Sequence, residues 1–327
     1  MAIQPGQQAL ASDFISVSSG TGDAAKAPKL NESGKLSSTF LPFGGDGSDG
    51  ELNISSGVTT IDLGGQSLVV KNYTSISITG SGKLAFTNPN AYGTTIILRS
   101  QGNVTLTSSQ APMIDASGIG ALGGNGVSAG SSYVGGNVGN AGIGLDIFRT
   151  NGGGKGSSGN SDNGPGGPIP TAIMPSSLQF NQSPLSQKYP HCFVGAGAGS
   201  GGAYQGNSGS GGRGGGCVII ECGGAWNFTT ANGISVAGRT GNNGSGTVAG
   251  GGGGGGGGFF LALYKSVIAN TGTVTVAGGL GGSGNASGQP YGGSGGGSAT
   301  NAGVSATSGS VGGAGGAGLS FIGKYVE

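Results

Sequence analysis

The stretch "GTVAGGGGGGGGGFFLALY", from Gly246 to Tyr264, places nine consecutive glycines directly before an apolar segment. A glycine run of this kind usually indicates a flexible linker. Glycine also loses more backbone entropy on folding than any other residue, so an ordered run needs many backbone hydrogen bonds to offset that loss. The composition and patterns of the rest of the chain distinguish a linker from an ordered element.

The overall composition favours an ordered chain. Glycine accounts for 82 of 327 residues, several times the usual share of about 7%. Yet 34% of the residues are hydrophobic, only 8% are charged, and the formal net charge is +1. Disordered chains typically combine low hydrophobicity with high net charge. We therefore expect a folded protein in which the glycines are structural.

Packed glycine helices would explain the run. A polyproline-II-type helix has three residues per turn and no internal hydrogen bonds, so helices without side chains can hydrogen-bond to their neighbours. At about 3.1 Å per residue, nine glycines span about 28 Å. A helix buried on every side needs glycine at every position. We predict that Gly250, Gly254 and Gly258 lie in such a central helix, with "GGSGGGS" and "GGAGGAG" in peripheral ones; the linker is the alternative.

The glycine tracts alternate with strand-like segments in a degenerate repeat of roughly 40 residues. Gly214–Thr240 contains glycines, "CVIIEC" and "GISVAG"; Gly250–Gly279 contains glycines, "FFLALY" and "GTVTVAGG". An early copy is "GTTIILRS" followed by "MIDASGIGALGG", and "GGAGGAGLSFIGKY" is a half copy. Such repeats indicate stacked units that cannot bury a face alone. The predicted fold is all-β: a solenoid-like β-helix or β-layer architecture interleaved with packed polyglycine-II helices, with essentially no α-helix beyond the N-terminal segment.

Three zones follow from these patterns. Residues 1–45 form a non-repetitive attachment or oligomerisation segment, and residues 46–117 form a module of short β-branched strands punctuated by Gly, Asn and Ser. Residues 118–327 form the glycine-rich repeat module. An insertion at residues 151–187 holds five of the twelve prolines. Insertions in repeat scaffolds usually form loops on one face, often the binding face, so this segment is a candidate receptor loop or subunit contact.

Two N-terminal stretches carry a family resemblance. "LASDFISV" (Leu10–Val17) and "KAPKLNESGKLSSTFLPFGGDGSDG" (Lys26–Gly50) resemble the leading segments of phage tail-fibre and tail-tip proteins, in which a Gly-Lys-Leu-x-x-x-Phe-Leu pattern precedes the distal module. The glycine-rich two-thirds of the chain resembles the polyglycine-sandwich adhesins at the fibre tips of some contractile-tailed phages. The attachment residues that this resemblance implies are Phe14, Lys35, Leu36, Phe40 and Leu41.

The resemblance implies a rigid scaffold of packed polyglycine helices whose end loops bind a host receptor. Residues 1–45 would then dock on the fibre or on sister subunits. The location implied is the virion, in a tail or fibre, and an extracellular filament is the alternative.

Charge and hydropathy narrow the range of partners. The 13 lysines and arginines do not cluster, so nothing indicates nucleic-acid binding. The sequence shows no basic amphipathic helix, no run of 18 apolar residues and no secretory signal pattern, which predicts synthesis in the host cytoplasm without membrane insertion. A nearly uncharged surface rich in Ser, Thr, Asn and Gly suits neutral partners such as carbohydrate, or copies of the chain in a homo-oligomer.

Few residues are suited to catalysis or metal binding. The one histidine, His191, adjoins Cys192, and adjacent residues on a strand point to opposite faces. Cys217 and Cys222 are five residues apart, which puts them on opposite faces of a strand, and the three cysteines match neither a redox motif nor a zinc site. We expect buried free thiols, no metal and no cofactor.

The carboxylates offer the remaining enzymatic option. A glycosidase needs two carboxyl groups about 5 to 9 Å apart across a groove, and no pair recurs here at a spacing that forces this. Asp115 takes the repeat position of Val236 and Val276, which predicts an inward side chain. The loop Gly44–Glu51 has oxygen ligands suited to Ca²⁺ but lacks the EF-hand pattern, which favours a simple turn. We therefore expect a non-enzymatic protein, with a polysaccharide-cleaving β-helix as the third alternative.

Aromatic residues in polar, loop-like settings are the best binding candidates. Exposed aromatic rings beside Asn and Gln are suited to stacking on sugar rings or anchoring a protein surface; the alternative is that they cap the glycine helices. The receptor-binding candidates are Tyr133, Tyr204, Tyr291, Asn207 and Gln289. The function expected is a tail-fibre or tail-tip protein binding a host glycan or outer-surface protein through loops, and the alternative is a self-assembling structural subunit.

Overall fold

The computed structural model describes residues 14–15, 27–28, 43–143, 149–150, 152, 192–285, 292–298, 303–304 and 311–325. These ranges contain strands and connecting segments and no helix, which confirms the all-β prediction for the part of the chain described. The strands are β1 (Phe14–Ile15), β2 (Ala27–Pro28), β3 (Glu51–Ile54), β4 (Val58–Asp62), β5 (Leu68–Tyr73), β6 (Ser75–Ile78), β7 (Lys83–Thr87), β8 (Thr95–Ser100), β9 (Val104–Leu106), β10 (Ile114–Asp115), β11 (Ser128–Ala129), β12 (Gly142–Ile143), β13 (Arg149–Thr150), β14 (Ala203–Asn207), β15 (Cys217–Phe228), β16 (Ile234–Ser235), β17 (Ser245–Ala249), β18 (Phe259–Asn270), β19 (Val274–Thr275) and β20 (Leu319–Lys324).

Parallel pairing joins most of these strands into three ladders within a curled sheet system. The first ladder contains β5, β8, the first half of β15, the first half of β18, and β20. The second contains β3, β6, β9 and the second halves of β15 and β18. The third contains β4, β7, β10, β16 and β19. We call the three ladders together the strand module. The chain visits the second, third and first ladder in turn, so all three grow in the same order along the sequence.

The strand segments of the sequence repeat lie beside one another in the first ladder. Thr95 pairs with Cys217, Cys217 with Phe259, and Phe259 with Leu319, which aligns the four repeat copies in register. In the third ladder Ile114, Ile234 and Val274 align in the same way. Because equivalent apolar residues stack at each step, every copy contributes to one continuous core.

The main core lies between the three ladders. Alternating sequences such as "SISI" in β6 and "KLAFT" in β7 bury every second side chain, because successive side chains on a strand point to opposite faces. Apolar residues from all three ladders form this cluster, among them Ile78, Leu84 and Ile220, each fully buried. Burying one such side chain contributes about 1.5 to 3 kcal/mol.

Strands β8 and β15 are buried on both faces. Their near-continuous apolar runs, "TIILRS" and "CVIIEC", agree with this, since strands covered on both sides need not alternate. Cys222 belongs to the main core, whereas Cys217 lies in a second cluster with Cys192 on the opposite face. The prediction that the cysteines are buried, free and on opposite faces of the strand is confirmed.

Residues Gly250 to Gly258 are all buried and form no strand. Their backbone N–H groups donate to three different neighbouring segments, and each neighbour recurs every third residue. The N–H groups of Gly250, Gly253 and Gly256 donate to carbonyls within residues 196–202, and those of Gly252, Gly255 and Gly258 donate to carbonyls within residues 236–242. Those of Gly254 and Gly257 donate to residues 313 and 316. All of these bonds are 2.8–2.9 Å long. The linker interpretation is therefore wrong, because a linker would be solvated rather than bonded on all sides.

Six segments surround this central run; in their order around it they are residues 192–202, 208–216, 236–244, 276–284, 311–318 and 292–298. Each also hydrogen-bonds to the next, and the ring closes where the N–H of Gly199 donates to the carbonyl of Ser294 at 3.0 Å. Residues 119–127 and 134–141 lie outside residues 192–202 and bond to them. We call the central run, its six neighbours and these two segments the glycine array.

The array leaves no room for side chains along its centre. At every position from Gly251 to Gly258, an added Cβ would overlap a backbone carbonyl oxygen of a neighbouring segment. At Gly254 that oxygen belongs to Gly279, and at Gly258 it belongs to Gly216. The absence of side chains is thus what allows the backbones to approach and hydrogen-bond.

The array has two distinct ends. At one, the strand end, residues 208–216, 250–258 and 311–318 run directly into β15, β18 and β20. At the other, the tip, the chain turns between segments at residues 128–134, 203–207 and 245–249. The chain therefore leaves a ladder, crosses the array to the tip and returns to the next step of the ladder.

Asp115 departs from its predicted position. The register pairs Asp115 with Ser235 and Ser235 with Thr275, so Val236 and Val276 align one residue later than expected. The Asp115 carboxylate is half-buried, accepts a hydrogen bond from Ser117 N at 3.1 Å and lies 2.9 Å from Lys83 Nζ. The prediction that it points into the core is wrong, because the alternation places it on the outer side beside a lysine.

Most of the N-terminal segment and of the insertion lies outside the described residues. Phe14 falls in β1, which pairs in parallel with β2. Lys35, Leu36, Phe40 and Leu41 lie outside the described ranges, and so does all of residues 151–187 except Gly152. Ile143 before the insertion and Cys192 after it both lie at the strand end of the array. The boundaries at residues 45/46 and 117/118 stay predictions.

Candidate functional site

A small antiparallel sheet organises the tip of the glycine array. Strand β14 pairs with β11 on one side and with β17 on the other. Ala249, at the end of β17, also exchanges backbone hydrogen bonds with Asn285 at 2.9 and 3.0 Å. Backbone bonds thus tie four separate turns of the chain into one surface.

Two of the predicted binding residues form a stacked pair on this surface. Val134 and Ala203 exchange backbone hydrogen bonds at 2.8 and 2.9 Å, which brings Tyr133 beside Tyr204. The ring centroids are 4.4 Å apart and the planes differ by 21°, close to the separation at which aromatic pairs attract. Tyr133 is 41% exposed and Tyr204 is half-buried, so the pair presents an aromatic face to solvent.

The backbone beside the tyrosine pair is unusual. Gln205 has φ of 51°, in the left-handed region, and it lies opposite the β17 segment that contains Gly246, with φ of 104°. A non-glycine residue in such a region costs on the order of 1–3 kcal/mol, and such residues cluster at ligand sites. The N–H of Gln205 donates to the Gly130 carbonyl at 2.8 Å, which anchors the conformation. The Gln205 side chain is exposed.

A polar groove of about 320 Å³ lies next to this sheet. We call it the asparagine groove; it is lined by residues 126–128, 207–210 and 242–243, which bring three asparagines and three serines together. Asn207, a predicted candidate, accepts a hydrogen bond from the Ser128 hydroxyl. Asn242 Nδ2 donates to Ser210 Oγ at 2.7 Å, and Asn243 Oδ1 accepts from Ser283 N at 2.8 Å. No charged side chain is among the lining residues that the structure describes.

The structure brings together three of the five predicted binding residues, Tyr133, Tyr204 and Asn207. Gln289 and Tyr291 lie outside the described residues; the nearest described residues on each side, Asn285 and Gly292, are at the tip. The sequence prediction missed Asn242 and Asn243. Their signal was available, since "GNNGS" interrupts a glycine tract with two adjacent amide side chains.

Three other aromatic residues in polar stretches of the sequence, Tyr92, Trp226 and Phe228, lie away from the tip. Trp226 and Phe228 are fully buried in the main core, where their rings meet edge to face with centroids 5.9 Å apart. Tyr92 is half-exposed, and the Asn90 side chain accepts a hydrogen bond from its backbone N–H at 2.9 Å. Since Ile143 N donates to the Tyr92 carbonyl, Tyr92 lies near the strand end rather than at the tip.

Five of the six described carboxylates, all except the exposed Glu51, are held in structural contacts. Asp49 accepts from Asn72 N at 2.7 Å and lies 2.9 Å from Lys71 Nζ; the Asn72 hydrogen bond, and then Lys71, lower the pKa of Asp49. Asp62 accepts from Gly64 N at 2.9 Å, and this bond is the largest cause of its lowered pKa. In the loop Gly44–Glu51, Asp46 accepts from Ser48 N at 3.1 Å, as in a turn.

Glu221 is a fully buried acid within β15. Its carboxylate accepts from Gly44 N at 3.0 Å and lies 3.4 Å from Arg99 Nε, so it links the start of the strand module to the first ladder. The described ranges contain no group of three or more His, Cys, Asp or Glu side chains placed to hold a metal ion.

The thiols are also shielded. A hydrogen bond with Cys217, together with burial, raises the pKa of the Cys192 thiol far above its usual range. Burial raises the pKa of Cys222 as well. His191, the neighbour of Cys192 in sequence, lies outside the described residues.

Across the described ranges, no helix has the length and apolar character needed to cross a membrane. Comparisons with protein-family models, with curated protein sequences and with solved structures found no match for this chain.

Proposed function

We propose that this chain is a non-enzymatic tail-fibre or tail-tip protein of a phage, which binds a receptor on the host surface through the tip of its glycine array. The receptor is a surface glycan or an outer-surface protein. The N-terminal segment attaches the chain to other tail or fibre proteins or to copies of itself. The location that goes with this function is the virion, after synthesis in the host cytoplasm.

The scaffold in this proposal contains polyglycine-II helices. The support is the hydrogen-bond pattern of Gly250–Gly258, which reaches a given neighbour every third residue, because three residues per turn is the period of a polyproline-II-type helix. The closed ring of six bonded neighbours is the packing that such helices adopt when they lack side chains. The array then serves as a stiff support rather than a tether.

The strand module in this proposal is a parallel β-solenoid. The support is the order in which the chain visits the three ladders, with each ladder extended by one strand per visit. Three of these visits, those that lead into β15, β18 and β20, first detour through the glycine array. The solenoid fixes the base of the array and leaves its far end free for binding.

The observation that carries the binding proposal is the Tyr133–Tyr204 pair on the tip sheet. A large aromatic surface that is partly exposed, held rigid by backbone bonds and bordered by neutral polar groups is typical of interface hot spots. The left-handed Gln205 beside it adds a strained backbone of the kind found at ligand sites. The five acids Asp46, Asp49, Asp62, Asp115 and Glu221 are engaged in turns or ion pairs, which supports a non-enzymatic role.

A cell-binding assay tests this function. The full chain, fluorescently labelled, is applied to a panel of bacterial isolates from the habitat of the source, and the strains it stains are recorded. We expect Tyr133→Ala and Tyr204→Ala to reduce staining about tenfold or more, since hot-spot truncations cost about 2 kcal/mol or more. Tyr92→Ala, a half-exposed tyrosine at the strand end, is the matched control and should stain normally. Equal staining by all variants would exclude the tip as the receptor site.

A second candidate function, a self-assembling filament subunit, is favoured by one observation. Among the described strands β20 pairs only with β18, and its exposed edge carries Leu319 and Phe321, 42% and 56% exposed. Exposed apolar edge strands readily pair with further chains. Immunogold electron microscopy with an antibody against residues 151–187 separates the two functions. Gold at the distal end of a tail or fibre supports the adhesin, whereas gold repeated along a filament supports the structural subunit.

A further inference from the structure

We infer that the asparagine groove is a binding site for a neutral saccharide of one or two sugar units. This inference rests on the proposed function and narrows the receptor to a glycan. The groove lies beside the tip sheet, and Asn207 belongs both to its wall and to β14, the strand that carries Tyr204. Its volume of about 320 Å³ is at the lower end of the range for small-molecule sites.

The groove offers the hydrogen-bonding groups that a sugar requires. Sugar hydroxyls both donate and accept, so a matching site needs donors and acceptors side by side, which amides and hydroxyls supply. The side-chain amide of each asparagine in the groove makes a hydrogen bond within the protein, described above for Asn207, Asn242 and Asn243. That bond fixes the amide orientation, and an amide has four hydrogen-bonding positions, so capacity remains for a ligand.

The groove is rigid before any ligand arrives. Ser208 at its floor is buried, and its hydroxyl accepts from Val127 N at 2.9 Å. The backbone of Gly209 donates to the Gly250 carbonyl at 2.9 Å, which ties the floor to the centre of the array. A site that is already ordered loses little entropy on binding, and this favours weakly interacting ligands such as neutral sugars.

Charge selects against other ligands. None of the described lining residues is Asp, Glu, Lys or Arg, so a phosphate, a sulfated sugar or a cation would lose its hydration without a charged partner among them in return. Extended aliphatic ligands are disfavoured as well, since Val127 is the one large apolar residue in the described part of the lining. A neutral hexose or N-acetylhexosamine unit is the class that remains.

Glycan-array binding with the full chain tests the inference. The array carries neutral mono- to tetrasaccharides of glucose, galactose, mannose and N-acetylglucosamine, together with sialylated and sulfated counterparts. We expect binding to at least one neutral saccharide and a preference over its acidic counterparts. Titration calorimetry with that saccharide should show about tenfold weaker binding for Asn242→Ala, because hydrogen bonds to the sugar are lost. The matched control is Asn53→Ala, an exposed asparagine on β3 remote from the tip, which should bind normally.

The outcomes separate this inference from the proposed function. Binding to no neutral saccharide, or equal binding by Asn242→Ala and Asn53→Ala, overturns the groove inference. If the tyrosine variants still lose cell staining in that case, the tip binds a protein receptor and the proposed function stands. If Asn242→Ala weakens saccharide binding while every tip variant stains cells as strongly as wild type, the groove inference is supported and the proposed function fails. Thermal denaturation of each variant confirms that it is folded.

Discussion

The glycines of this chain fall into two kinds, according to what an added Cβ atom would contact. In the central run a Cβ would overlap the backbone of a neighbouring segment, whereas at Gly130 an added Cβ meets nothing within 4 Å. The first kind is required by packing and the second occurs in an open turn. Composition treats all 82 glycines alike, and only the neighbours of each residue show which ones the fold needs.

The variant Gly254→Ala tests this distinction. Its Cβ would overlap the Gly279 carbonyl oxygen, and since backbone cannot rotate away as a side chain can, we expect a loss of about 3 kcal/mol or more in the free energy of unfolding. The control Gly130→Ala should change that free energy by less than about 0.5 kcal/mol. Chemical denaturation measures both, and similar stabilities for the two variants would contradict a close-packed array.

The Lys83–Asp115 pair predicts a dependence of stability on acid. Burial raises the pKa of Asp115, but the hydrogen bonds from Lys83 and Ser117 outweigh it and hold the pKa below its ordinary value of 3.8. A carboxylate with a lowered folded-state pKa stabilises the protein above its unfolded-state pKa, and this contribution is lost as the pH falls through the folded-state pKa. The pair is partly exposed, so the contribution is about 1 kcal/mol or less.

We therefore expect Asp115→Asn to be less stable than wild type at neutral pH and equally stable in strong acid. Denaturation across the acid range measures the difference, with Glu51→Gln, an exposed acid on β3, as the control. A stability difference that persists below the titration range would mean that the substituted amide disturbs the packing rather than the ion pair.

At the scale of elements, β15 holds the strand module together because its two halves belong to different ladders. Residues 217–222 pair with β8 and residues 226–228 pair with β9, with register shifts between the halves. Trp226 lies between the two register shifts of the β15–β18 pairing, fully buried, with its indole N–H donating to Asn270 Oδ1 at 3.0 Å. The bend between two ladders is therefore filled by the largest side chain in the core.

The variant Trp226→Ala should destabilise the protein by about 3–5 kcal/mol, the usual cost of removing a large buried aromatic side chain. Val267, its register partner on β18, is 51% exposed, and Val267→Ala is the control, with an expected effect below about 0.5 kcal/mol. Urea denaturation followed by circular dichroism measures both. A small effect at Trp226 would show that the core tolerates a cavity at the bend.

At the scale of the whole molecule, segments of the glycine array continue into strands of the ladders, so the array and the ladders should unfold together. Cys222 lies in the main core, and Cys192 and Cys217 lie in the cluster on the opposite face of the first ladder. The glycine segments that precede β15, β18 and β20 continue directly into those strands, without an intervening linker. This continuity predicts one cooperative unit rather than two independent domains.

Thiol labelling tests whether the ladders and the glycine array unfold as one cooperative unit. We expect the three cysteines to resist a thiol reagent in the native protein, since all are buried, and to become reactive at one common rate set by global opening. Labelling followed by peptide mass spectrometry gives the rate at each cysteine. A fast rate at Cys192 and Cys217 with protection of Cys222 would show instead that the outer cluster opens separately.

The extent of prediction from sequence differs between these features. The strand runs, the packed glycines and the buried thiols were predictable because each depends on local pattern: β-branched alternation, absence of side chains, and low polarity. The register of Asp115 was not, since an offset of one residue reverses the face and the drifting spacers hide it. The Tyr133–Tyr204 stack and the asparagine groove join residues from distant turns, and only the three-dimensional pairing of β11, β14 and β17 brings them together.

The orientation of the glycine array has a mechanical consequence for the proposed binding function. If a receptor holds the tip while the fibre holds the strand end, traction runs along the glycine segments, and the hydrogen bonds between segments run across that direction. Extension would then require one segment to slide past its neighbours, breaking a whole row of bonds together instead of peeling them one at a time. A stiff support assembled from individually weak contacts would thereby resist extension when a moving cell pulls on the bound particle.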